Sequence, residues 1–202
     1  MGADESKESV IELYAKHNLW QPQYSQYEND YEKQLFMAIN LIRYSPKEYG
    51  IPAVKMAAKH ELAKKKKSDK LIKELKGMSQ LTQVVFEDEA NTACRDNNKA
   101  KIALGEATPT MGGNIDAYKT VIGDDKSPNC DEYTMCQYMG SSAFEFIGLQ
   151  MILDYNREGE EAEKTPVLDP NTCKVGISNK AHPKTKNLIQ ILYVKSTVNT
   201  MM

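Results

Sequence analysis

The segment FEFIGLQMILDYNREG, residues 144–159, decides the fold class together with the two apolar stretches that follow it. Its apolar residues recur at the spacing of one helix face: Phe144, Ile147, Gly148, Met151, Ile152 and Tyr155. Further on, CKVGIS (173–178) and NLIQILYVK (187–195) have the length and β-branched content of strands. The proline-containing segment NKAHPKTK lies between them. The end of the chain is therefore predicted to be a helix followed by a β-hairpin.

Three more helices are predicted upstream. The first covers residues 31–44 and ends at Ser45-Pro46, because proline disfavours helical geometry at the residue before it. The second runs from Ala53 to Lys76 and is stopped by Gly77. The third begins near Asp88, whose carboxylate is a candidate N-cap. Its predicted buried stripe is Ala90, Ala93, Cys94, Asn97 and Leu104.

The segment from Gly105 to Asp131 is rich in Gly, Pro, Thr and Asp, so it is predicted to be mostly loop with one short strand around Ile115 to Ile122. Helices, a loop-rich strand, a helix and a terminal hairpin together predict an α+β fold. The expected architecture is a three-layer α/β/α sandwich with a small antiparallel sheet.

The 202 residues suffice for one hydrophobic core. Residues 1–30 are predicted to be an N-terminal extension, a docking arm outside the core, and residues 31–202 to be the domain. The arm combines a short amphipathic stretch, Val10 to His17, with the polar and aromatic sequence NLWQPQYSQYEND.

The formal net charge of -2 gives no overall positive field, which disfavours nucleic acid as a partner. The sequence has no secretory h-region and no run of about 20 apolar residues, so we expect a cytoplasmic protein, not secreted, without a transmembrane segment. Four cysteines lack any C-x-x-C spacing and are expected to be reduced thiols.

Four segments resemble the CAP/SCP superfamily, which includes cysteine-rich secretory, antigen 5 and pathogenesis-related proteins. They are INLIRYSPKEYG (39–50), FEDEANTACRDNN (86–98), FEFIGLQMILDYNREG (144–159) and VLDPNTCKVGISNKAHP (167–183). The last is the most specific, since Leu168, Pro170, Val175 and Gly176 keep the family spacing. The resemblance runs from about Phe36 to Val194 and is greatest to the divergent intracellular branch of bacteria and protists.

The resemblance implies a cavity of two histidines and one or two glutamates that can hold a divalent metal. In this chain Asn97 stands at the first histidine, Gly113 at a glutamate, and Glu163 within the family's Gly-His-Arg turn. An Asn amide is a poor zinc ligand and does not titrate near neutral pH. A degenerate cavity is therefore implied, with no metal, no cofactor and no catalytic residue.

Other enzyme chemistry is also disfavoured. None of the histidines His17, His60 and His182 is paired at helical spacing, and neither a G-x-S-x-G elbow nor a phosphate-binding glycine motif occurs. An enzyme is the least favoured class.

Two features favour protein partners. The arm carries large aromatic side chains that are typical interface anchors, namely Trp20, Tyr24 and Tyr27. Residues 55–76 contain nine lysines against three acidic residues, a local charge of 9 − 3 = +6, and this segment includes Lys64, Lys65, Lys66 and Lys67. Such a run is either a solvated helix face or a contact for an acidic surface, such as tubulin, with weak contact to anionic lipid as a further alternative.

These features predict a structural or protein-interaction component of a larger intracellular assembly, cytoskeletal or ciliary in character. The alternative is a lipid- or sterol-binding protein that uses the grooves of the family.

Overall fold

The computed structural model describes residues 9–21, 23, 26–63, 68–105, 110–111, 118–119, 122, 130–137, 142–155 and 165–196, with only the backbone for 110–111 and 130–137. Helices and one sheet make up these residues. The predicted mixture of α and β structure is confirmed.

The helices are α1 (Val10–Lys16), α2 (Asp30–Tyr44), a π-helical turn (Pro46–Gly50), α3 (Ile51–Ala57), α4 (Ser68–Gly77), α5 (Asp88–Ala103), α6 (Ala143–Tyr155) and a 3-10 turn (Pro166–Leu168). The strands are β1 (Val85–Phe86), β2 (Thr110–Met111), β3 (Cys130–Gln137), β4 (Thr172–Ala181) and β5 (Asn187–Lys195). None of the helices in the described part of the chain is long and apolar enough to cross a membrane.

The described strands form one sheet in the order β1-β4-β5-β3-β2. β5 lies at its centre, antiparallel to β4 on one side and to β3 on the other. Val175 of β4 lies opposite Tyr193 of β5, and Cys130 of β3 lies opposite Val194. Short β1 runs parallel to the start of β4.

Helices cover both faces of this sheet because side chains alternate along each strand. Ile177 and Ile191 belong to the large core that α2, α3 and α6 complete, whereas Leu192 packs with the apolar side of α5. Gly176 lies under α5, and a Cβ atom there would come within 2.3 Å of the Ala90 carbonyl carbon. Glycine thus lets α5 lie directly on β4.

A fully buried arginine joins α2 to the rest of the domain. The Arg43 guanidinium donates hydrogen bonds to the carbonyl oxygens of Thr82 (2.7 Å), Val167 (3.0 Å), Asp169 (2.9 Å) and Thr172 (2.9 Å). Burial lowers the pKa of Arg43 to about 10, so the side chain stays charged at neutral pH. Its four acceptors fix three separate backbone segments around the end of α2.

The predicted end of α2 before Ser45-Pro46 and the predicted position of α6 are confirmed. The single helix expected from Ala53 to Lys76 is wrong. α3 ends at Ala57 and α4 begins at Ser68, with tight turns over 58–63, where the His60 amide donates to the Ala57 carbonyl. Local hydrogen bonds hold these turns, since the Leu62 amide also donates to His60 Nδ1 at 3.2 Å.

The predicted details of α5 also need correction. Asp88 is its first helical residue, while Glu87 is the N-cap and supplies no side-chain cap. Asn98 is the fully buried asparagine, Asn97 is half-buried, and Leu104 is 72% exposed. The helix ends before its last apolar residue can turn towards the sheet.

Most of the segment from Gly105 to Asp131 lies outside the described residues. Near its two ends the described residues form strands where loop was predicted. Thr110 and Met111 form β2, and β3 begins at Cys130. Tyr118, Lys119 and Ile122 are helical, so the strand expected around Ile115 to Ile122 is wrong at these positions. Pairing with β5, remote in sequence, fixes β3.

Candidate interaction site

The aromatic residues singled out in the arm meet at one side chain of α2, Phe36. The ring centroid of Trp20 lies 5.9 Å from that of Phe36, and the centroid of Tyr27 lies 6.2 Å from it, both edge to face. Phe86 of β1 contacts Tyr27 at 5.2 Å and Phe36 at 6.0 Å. With Tyr14 these residues form an aromatic cluster, the arrangement that aromatic quadrupoles favour.

Tyr14 corrects the expectation that the arm lies outside the core. Its side chain is fully buried on α1 and belongs to the main hydrophobic core. Ser9 caps α1 in a capping box with Glu12, and Asn18, at φ 49°, turns the chain at the other end. A seven-residue helix is too short to be stable alone, so its contacts with α2 hold it.

The Tyr14 hydroxyl fixes the backbone next to Trp20. It donates to the Trp20 carbonyl oxygen at 2.5 Å and accepts from Asn40 Nδ2 (3.5 Å) and Gln83 Nε2 (3.4 Å). Burial raises the pKa of Tyr14 to about 12, so the hydroxyl remains a donor at physiological pH. Trp20 is therefore held from both its ring and its backbone.

Residues 26–29, here called the strap, are the part of the arm that reaches the edge of β4. Beyond β1 none of the described strands pairs with the outer edge of β4. The Asn179 amide at this edge donates to Glu32 Oε1 at 2.8 Å, and the Asn179 carbonyl accepts from Asn29 Nδ2 at 3.1 Å. The Ile177 amide donates to Asn91 Oδ1 at 3.2 Å. Polar side chains thus replace a neighbouring strand and protect this edge.

The strap is also fixed to α5. The Gln26 carbonyl accepts from Arg95 at 2.9 Å and from Asn91 at 3.3 Å. Glu28 forms ion pairs with Arg95 (3.4 Å) and Lys180. Buried Glu32, whose pKa is raised by burial, accepts the Glu28 amide at 2.8 Å.

Trp20 differs from the other members of the aromatic cluster in its exposure. Its side chain is 45% exposed, while Tyr14, Phe36 and Phe86 are buried and Tyr27 is half-buried. The structure thus brings two of the predicted partner-binding residues, Trp20 and Tyr27, together on Phe36. The remaining ones, Tyr24, Lys64, Lys65, Lys66 and Lys67, lie outside the described residues.

The degenerate cavity is described at one of its three positions. Asn97 is half-buried on α5, next to Asn98, whose amide donates to the carbonyls of Ser178 (3.1 Å) and Leu188 (3.3 Å). Gly113 and Glu163 lie outside the described residues. Within the described ranges no three His, Cys, Asp or Glu side chains come together as a metal site. The predictions of no metal and no cofactor stay predictions.

The described histidines His17 and His182 form hydrogen bonds within the domain, and two of the four thiols are described. His182 is buried and its Nδ1 accepts the amides of Lys184 (3.2 Å) and Thr185 (3.3 Å), while His17 contacts the Tyr49 hydroxyl at 2.5 Å. Cys94 and Cys173 are thiols that take no part in a disulfide. The side chains of Cys130 and Cys136 lie outside the described part of the chain.

Sequence analysis missed two concave surfaces. The first, the Lys70 cleft, has a volume of about 710 Å³ and lies between α4, α6 and the 3-10 turn. The second, the Tyr49 groove, has a volume of about 480 Å³ and is lined by Leu13, Glu48, Tyr49, Pro52, Lys55, Met56 and Phe144. Their walls come from segments far apart in the chain, so no local pattern could predict them.

Comparison of the chain with protein-family models, with curated proteins and with solved structures finds no match.

Proposed function

We propose that this chain is a divergent CAP/SCP-like protein that works without catalysis as a protein-interaction component of an intracellular assembly. The relation to the family rests on the four resembling segments, and contacts between them support it. Arg43 in the first bonds Val167 and Thr172 in the last. Gly176 in the last lies against Ala90 in the second.

The observation that carries the interaction role is the half-exposed, fixed indole of Trp20. Exposed tryptophans are frequent energetic centres of interfaces. Phe36 and the Tyr14 hydroxyl already hold this one in place. Less side-chain entropy is then lost when a partner covers it, which favours binding.

The test is affinity purification of the tagged chain from its native cell. Trp20→Ala should reduce the recovery of stoichiometric partners by about tenfold or more, the loss typical of an interface anchor. Leu104→Ala is the matched control, since Leu104 is apolar, 72% exposed and lies at the far end of α5, a helix of 16 residues that begins next to Phe86 of the aromatic cluster. Equal recovery with the wild type and both variants would refute the proposal.

The proposed assembly is cytoskeletal or ciliary, because the lysine-rich segment 55–76 suits an acidic surface such as that of tubulin. Co-sedimentation with microtubules is the corresponding measurement. We expect the binding to decline steeply as salt is added, because the screening length of charge interactions falls to about 8 Å at physiological ionic strength.

Lipid binding is the second candidate, and the Tyr49 groove favours it. The rings of Tyr49 and Phe144 stack at 6.2 Å, and Met56 and Leu13 complete an apolar wall. Mass spectrometry of lipids extracted from the purified chain tests it. A stoichiometric lipid lost on Met56→Glu would favour this candidate over the first.

A further inference from the structure

The Lys70 cleft combines an apolar floor with a charged rim. Leu71 and Leu168 are buried in its floor and Met78 is half-buried beside them. At the rim Lys70 and Lys73 are exposed on successive turns of α4. Pockets of a few hundred cubic ångströms with few polar groups are typical of binding sites.

Tyr155 forms the wall opposite α4. Its hydroxyl donates to Glu74 Oε1 at 2.7 Å, and Lys70 Nζ lies 5.9 Å from its ring centroid. Burial raises the pKa of Tyr155 to about 12, so it remains a neutral donor. The Glu74 carboxylate is thus already engaged, while the Lys73 ammonium extends into solvent.

The cleft also lies on the most basic segment of the chain. Of the nine lysines in residues 55–76, Lys70 and Lys73 line it directly. The segment 55–76, with its sequence charge of +6, attracts acidic partners over a distance, and the apolar floor can then bury one side chain.

We propose that the Lys70 cleft is a docking site for an acidic peptide segment of a partner protein, which inserts one apolar side chain between α4 and α6. Acidic residues flanking that side chain pair with Lys70 and Lys73. This inference rests on the proposed interaction function and assigns it a second contact besides Trp20. Glu74 on the α4 side favours a peptide, whose backbone amides can donate to its second carboxylate oxygen, over an anionic membrane, which presents negative charge alone.

Gly77 offers a way to block the cleft without changing its charge. It lines the cleft, and a Cβ atom at this position meets nothing within 4 Å. Gly77→Trp should therefore fold normally and fill the space. The probe is a short fluorescein-labelled peptide in which glutamates flank a single leucine, and its binding to the full chain is followed by fluorescence anisotropy. We expect Gly77→Trp to weaken binding by about tenfold or more.

Two charge variants distinguish binding at the cleft from general electrostatic attraction to the basic segment. Lys70→Glu with Lys73→Glu reverses the charge of the rim, whereas Lys59→Glu with Lys76→Glu makes the same change of net charge in the same segment at positions that line neither concave surface. The rim variant should weaken binding by at least tenfold more than its control, and this difference should narrow as salt rises.

Equal loss in the two charge variants, or unchanged affinity in Gly77→Trp, would overturn the proposal. Binding of phosphatidylserine vesicles that Gly77→Trp abolishes, without peptide binding, would also overturn it and assign the cleft to lipid. The proposed function is tested by a different experiment. It fails if Trp20→Ala recovers the same partners as the wild type, whatever the peptide measurements give.

Discussion

Single residues that hold separate segments together account for most of the specificity of this fold, and Arg43 is the clearest case. Its charge lies in the core, where four backbone carbonyls, and not a carboxylate, accept its hydrogen bonds. Buried carbonyl groups are costly to leave unpaired. The sequence shows an arginine at the end of an apolar helix but not the carbonyls that surround it.

We expect Arg43→Lys to lower the free energy of unfolding by about 3 kcal/mol, because an ammonium group cannot reach all four carbonyl oxygens from one position. Arg95→Lys is the matched control. Arg95 is a quarter exposed and bonds one carbonyl, so the same substitution should cost about 1 kcal/mol or less. Urea unfolding of the three proteins gives the comparison, and equal stabilities of the two variants would contradict the role of Arg43.

At the scale of elements, the sequence predicted those helices whose own apolar pattern is complete. α2 and α6 are examples, since both are mostly apolar and are buried over consecutive residues, Leu35 to Arg43 and Phe146 to Ile152. β3 was missed because neither alternate set of residues in CDEYTMCQ is uniformly apolar. Its strand structure depends on β5, and α1 likewise depends on Phe36 and Asn40 of α2.

The arm is therefore a stabilising element, and deleting residues 1–28 should destabilise the domain. Loss of fully buried Tyr14, together with the contacts of Val10, Leu13 and Tyr27, should cost about 4 kcal/mol and lower the thermal midpoint by about 10 °C. Circular dichroism during heating measures this. A truncation of residues 1–8 alone keeps every one of these contacts and is the control; an unchanged midpoint in both truncations would show that α1 is not part of the core.

At the scale of the whole molecule, the order of helix and strand patterns along the sequence predicted the α+β class. It did not predict the aromatic cluster or the Lys70 cleft. Composition singled out Trp20 and Tyr27, yet only the folded chain brings them to Phe36. The Lys70 cleft joins α4 to the turn at Pro166–Leu168, nearly ninety residues apart. The result is a domain in which the described part of the arm, from Ser9 onwards, packs against α2 and α5 while its aromatic anchor, Trp20, remains half-exposed.

The burial of Trp20 in the native assembly is the most direct test of this account. Trp20 is the only tryptophan of the chain, so fluorotryptophan labelling gives one fluorine NMR signal from this residue. The shift of that signal between light and heavy water measures solvent access to the indole. We predict a clear isotope shift for the free chain, in accordance with its 45% exposure, and its loss when the labelled chain joins the assembly. An isotope shift that is the same in the free and assembled states would contradict the claim that Trp20 is the partner anchor.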